Sequence, residues 1–64
     1  MIRLTRLNDQ PLVVNAELIK FVEETPDTVI TLRDNEKILV RESADAVVAK
    51  AIEYARALRW LPGV

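Results

Sequence analysis

The side chains available for chemistry in this sequence are mostly carboxylates: ten aspartates and glutamates, with no histidine and no cysteine. Those two absences remove thiolate and imidazole nucleophiles, a histidine general base and the usual zinc donors. What is left is acid–base work by paired carboxylates, or an all-oxygen site for a hard cation. Glu23 and Glu24 are the adjacent pair, but consecutive strand residues point to opposite faces, so a solvated strand edge is the better reading. Asp34, Glu36 and Asp45 lack both the spacing and the glycine of a calcium loop. The only glycine is Gly63, which rules out a glycine-rich phosphate loop. Ser43 precedes an alanine-rich run and reads as a helix cap, not a nucleophile. No catalytic, cofactor-binding or metal-binding residues are expected.

The elements that would position any binding residues are easier to read. Residues 2–7 roughly alternate in polarity, as a half-buried strand should. Asn8-Asp9-Gln10 is a turn cluster, and residues 11–14 return as a strand with Pro11 at its start, where a missing N–H costs least. Residues 18–24 form a third strand after Asn15-Ala16-Glu17, with Ile19 and Phe21 on one side and Leu18, Lys20 and Val22 on the other. Thr25-Pro26-Asp27-Thr28 is a turn with proline at its second position, followed by strands over 28–33 and 37–42 around Asp34-Asn35-Glu36. A helix over 44–60 starts at Ser43, carries Asp45 in its first turn and stops at Pro62-Gly63. No internal repeat is evident. The expectation is one α+β domain over residues 1–64: a small antiparallel sheet of four or five strands, as hairpin, strand and hairpin, then one C-terminal helix.

Such a helix gathers Val47, Val48, Ala51, Tyr54, Ala55 and Leu58 in one arc. Ile52 falls outside it, between Asp45, Arg56 and Arg59, and Trp60 also projects away from it. One helix covers one face of a sheet, whereas these strands are apolar on both. The second face, with Leu18, Val22, Val29 and Leu39, then needs sheet curling, a second copy or a partner to cover it. Trp and Arg are common interface anchors, so Ile52, Arg56 and Trp60 join those four as candidate interaction residues.

A chain of 64 residues buries only about 60% of its unfolded surface, and without cysteines self-association is the remaining aid to stability. Nine basic against ten acidic side chains give a net charge of −1, interspersed along the chain, with no stripe for nucleic acid and no strong pull toward an anionic membrane. No apolar run is long enough to span a bilayer, and Met1–Arg6 reads as a first strand, not a secretory leader. A cytoplasmic location is expected.

Longer stretches are more specific than these parts. Glu23-Glu24-Thr25-Pro26-Asp27-Thr28-Val29-Ile30-Thr31-Leu32 and then Lys37-Ile38-Leu39-Val40-Arg41-Glu42-Ser43 resemble the small bacterial flagellar FlbD/SwrD family. So do the opening Met1–Asn8, the Asn15–Ile19 stretch and Ile52-Glu53-Tyr54, and the likeness covers about the whole chain. The chain departs from the family's pattern in having Asp34-Asn35-Glu36 in place of an Asn-Gly-type turn, and Asp9 where glycine is common. The resemblance implies a non-enzymatic motility protein associated with swarming and flagellar motor power, through the stator. The expected partners are further copies of the chain and a flagellar motor or stator component at the cytoplasmic face of the motor. The alternative is a nucleic-acid-binding regulator, since LytTR-type output domains share a strand–hairpin–helix rhythm. Peripheral membrane contact through Trp60-Leu61 with Arg56 and Arg59 is a third option.

Overall fold

A computed structural model describes residues 1–59. In chain order it contains β1 (Ile2–Thr5), β2 (Pro11–Val14), a single 3-10 turn (Ala16–Leu18), β3 (Ile19–Glu24), β4 (Thr28–Leu32), β5 (Lys37–Val40) and α1 (Ala44–Arg59). The α+β class and the order of elements are as expected. The five strands, however, divide into two antiparallel sheets, β1-β2 and β3-β4-β5. The reason lies at the junction: β1 meets β5 only through the Arg6–Val40 bridge and the Arg41 N–H donating to the Thr5 carbonyl at 2.8 Å. One such step does not make a ladder, so the first hairpin folds over the second sheet and does not extend it.

Strand ends are set by the loops. β1 stops at Thr5 because Arg6 begins a loop in which its N–H donates to the Gln10 carbonyl and the Asp9 N–H donates to the Arg6 carbonyl, both at 2.9 Å. Asp9 takes a positive φ of 68° and Asn8 Oδ1 accepts from the Gln10 N–H at 3.1 Å. The second hairpin is closed in the same way. Leu32 N–H donates to the Glu36 carbonyl, Asn35 N–H to the Leu32 carbonyl, Asn35 has φ of 69° and Asp34 Oδ1 accepts from Glu36 N–H. Asp and Asn thus serve where glycine is the usual choice, since both tolerate the left-handed region. The third turn has a cis Thr25–Pro26 bond, with the Thr25 N–H donating to the Asp27 carbonyl.

The two hairpins are the same unit used twice. Ile2↔Val14, Arg3↔Val13, Leu4↔Leu12 and Thr5↔Pro11 in the first match Thr28↔Val40, Val29↔Leu39, Ile30↔Ile38 and Thr31↔Lys37 in the second, always 26 residues on (28 − 2). The likeness is one of backbone register and not of sequence. Only Thr5/Thr31 and Val14/Val40 are identical between the units, so the likeness lies in strand register and turn geometry.

Both hairpins turn their even-numbered strand positions inward, and the core is Ile2, Leu4, Val14, Ile30, Ile38, Val40 and Val47, edged by Leu12, Ala16, Ile19, Val22, Leu32 and Tyr54. The first hairpin therefore does much of the covering assigned to the helix. Accordingly, α1 packs chiefly on β3 and β1, and its buried arc is narrower than expected. Val47 is fully buried and Ala51, Tyr54 and Leu58 half-buried, but Val48 and Ala55 are exposed.

Candidate interaction surfaces

The carboxylates hold backbone together. Ser43 Oγ caps α1 by accepting from the Ala46 N–H at 3.1 Å, as expected. Glu24 adds a second cap, its Oε1 accepting from the Ala44 N–H at 2.8 Å. Glu24 stays exposed at the strand edge, as expected, and from there ties the end of β3 to the start of the helix. Glu42 accepts from both the Thr5 N–H at 2.9 Å and the Thr5 hydroxyl at 3.0 Å, joining β1 to the segment before α1. Burial alone would raise the Glu42 pKa. The two bonds from Thr5, its own backbone N–H and the Lys50 charge outweigh that and hold it below the ordinary 4.5. Arg41 pairs with Asp9 across the surface. Among the described residues, no three carboxylates, histidines or cysteines are grouped to hold a metal. A recess of about 410 Å³ between β1 and α1 is lined by Arg3, Lys50 and Glu53, two basic side chains and one acidic.

Apolar surface is exposed on both sides of the three-stranded sheet, and also at Met1 and Val13 of the first hairpin. On the outer face of the three-stranded sheet, two cross-strand rows lie side by side: Glu23–Val29–Leu39 and Phe21–Thr31–Lys37. Phe21 is 54% and Leu39 41% exposed, Val29 is half-buried between them, and Lys20 Nζ lies 5.4 Å from the centre of the Phe21 ring. On the inner side, a groove of about 310 Å³ runs between β3 and α1, with Ile19 and Val22 on one wall and Val48, Ile52 and Ala55 on the other. Val48 and Ile52 are 45% and 47% exposed.

Of the expected interaction residues, Val29 and Leu39 share the outer face as anticipated. Val22 does not: it pairs with Ile30 and lines the groove against the core. The register shift between Ile19 and Phe21 is a β-bulge at Lys20, which reverses the alternation and sends Phe21 outward instead. Leu18 is exposed but lies in the 3-10 turn, beside Leu32, Arg33 and Asp34 at the hairpin loop, away from Val29 and Leu39. Ile52 borders the groove, so it is continuous with Val48 and Ala55 and not isolated among charges. Arg56 is exposed nearby, and Trp60 lies outside the described residues. The residue sequence reasoning missed is Phe21. Counting back from the Thr25–Thr28 turn puts Val22 inward opposite Ile30, whereas counting forward from the Asn15 turn puts Ile19 inward. These two counts disagree by one residue, which requires a bulge between them.

Fold and surface together define a small α+β protein of repeated hairpins, an outer strand and one helix, whose polar side chains fasten turns and caps while apolar side chains remain outside. The sequence matches the FlbD family, flagellar and swarming motility proteins, over residues 1–58, and the chain belongs to that family. No curated protein and no solved structure matches it. No helix among the described residues is long and apolar enough to cross a membrane.

Proposed function

We propose that this flagellar and swarming motility protein is a non-enzymatic binding module, working on the cytoplasmic side by docking on a motor or stator component and supporting motor power. The observation that carries this reading is the outer sheet face. Phe21, Val29 and Leu39 form one apolar patch, bounded by Lys20, Glu23 and Lys37. An exposed aromatic beside aliphatic side chains, rimmed by charges of both signs, is the composition of an interface centre and its rim.

The test uses the repeated hairpin as its own control. Val13 occupies in the first hairpin the place of Leu39 in the second and is 56% exposed. Phe21→Asp and Leu39→Asp should abolish swarm expansion and slow motor rotation while leaving the circular dichroism spectrum unchanged. Val13→Asp should swarm normally. Normal swarming by both sheet-face variants would refute the assignment.

A further inference from the structure

We infer that the groove between β3 and α1 is closed by a second copy of this chain, the two α1 helices packing antiparallel about a twofold axis near Ile52. The exposed stripe of the helix is Val48, Ile52 and Ala55, at spacings of four and three residues along one face. Asp45 lies along this stripe toward the helix N-terminus and Arg56 toward the C-terminus, both exposed. An antiparallel twofold pairing sets Val48 against Ala55 of the other copy, Ile52 against Ile52, and Asp45 against Arg56. The midpoints of the three pairs fall within roughly 2 Å of one another along the helix, at 1.5 Å per residue. One axis therefore satisfies all three at once, and each opposite-charge contact is made twice, as isologous symmetry requires. A parallel arrangement would instead set Asp45 against Asp45 and Arg56 against Arg56.

The groove itself fits the same axis. Glu24 at the end of β3 holds the start of α1, and Ala16 and Glu17, before β3, share a recess with Ala55 and Leu58, so helix and strand run in opposite directions. The middle of the groove is thus beside Ile52. β3 is the outer strand of its sheet, but its bulge and Lys20 blunt it for strand addition, which leaves the helix stripe as the contact. Three apolar side chains and two charge pairs make a small interface, so dissociation in the micromolar range is expected. The groove lies on the other side of the sheet from Phe21 and Leu39, so this inference and the proposed docking face fail independently.

Sedimentation equilibrium of the full chain decides it. At about 0.5 mM the wild type should weigh twice 7.3 kDa. Ile52→Asp, at an exposed position, should be monomeric with an unchanged circular dichroism spectrum. Asp45→Arg and Arg56→Asp should each weaken the dimer about tenfold, and the double exchange should recover most of that loss. A monomer at every concentration would overturn the inference. So would a dimer that survives Ile52→Asp, or a double exchange no tighter than the single variants.

Discussion

Removing the Glu42 carboxylate should cost this chain a large part of its stability. Glu42 accepts the Thr5 N–H at 2.9 Å and the Thr5 hydroxyl at 3.0 Å, with both residues half-buried. Hydrogen bonds to a charged acceptor contribute about 1.5–3 kcal/mol when well buried, and solvent access here reduces the pair to about 1.5 kcal/mol in total. A core of this size supplies only about 3–5 kcal/mol, so Glu42→Ala removes roughly a third of it and lowers Tm by about 6–12 °C. The pH dependence identifies the cause. The folded pKa lies below 4.5, so the charged form is favoured by folding. Its contribution is complete above the unfolded pKa and disappears as pH falls from there through the depressed folded value. Urea melts of wild type and Glu42→Gln should therefore show a constant gap between pH 5 and pH 7 that closes in more acidic buffer (roughly, from the ordinary glutamate pKa). A gap that stays constant down to strongly acidic pH would show that packing, and not the carboxylate, holds β1 to the helix start.

Other substitutions check the turns, the core and the cap. In urea melts Asn35→Gly, at φ of 69°, should raise stability by about 0.5–1 kcal/mol, whereas Asp9→Gly, at φ of 68°, also loses the Arg41 ion pair and should be close to neutral. Destabilisation by Asn35→Gly would mean that the left-handed residue is held by contacts glycine lacks. Val47→Ala should cost about 2 kcal/mol because its side chain is fully buried, whereas Val48→Ala, 45% exposed, should cost less than about 0.5 kcal/mol. Equal costs in thermal melts would place the wrong face of the helix inward. Ser43→Ala should lose about 1 kcal/mol with the cap to Ala46, and no change would imply that Glu24 alone suffices.

Most of the local structure was legible because it is governed by nearest neighbours. The Asn8 and Asp34 turns and the Ser43 cap each depend on a side chain bonding two or three residues away, and the Pro11 strand start on the missing N–H of proline itself. Long-range geometry was not. Nothing in the local pattern shows that β1 leaves β5 after one bridge, or that the first hairpin would cover the inner face assigned to α1. Glu24 and Glu42 reach partners 20 and 37 residues away, a distance no periodicity encodes. The repeated hairpin is not legible because it keeps register and turn type with little residue identity. The bulge at Lys20 mattered most for the candidate site, since one extra residue moved Val22 inward and Phe21 outward.

The repeat also separates what folding demands of these strands from what it does not. Both hairpins have one register, one loop construction and inward positions that are apolar except for Thr28, so the fold is indifferent to which unit supplies which outer residue. In the first hairpin the outer positions are Arg3, Thr5, Pro11 and Val13, with Val13 the one aliphatic side chain and 56% exposed. In the second the same positions hold Val29, Thr31, Lys37 and Leu39, and β3 adds Phe21 beside them. If β-propensity alone selected these residues, the first hairpin would need the same surface, and it forms without it. Apolar exposure on an otherwise charged small protein carries an aggregation hazard that selection removes when nothing uses the surface. The difference between two copies of one structural unit is therefore the ground for testing the outer face of β3-β4-β5 as the proposed docking surface.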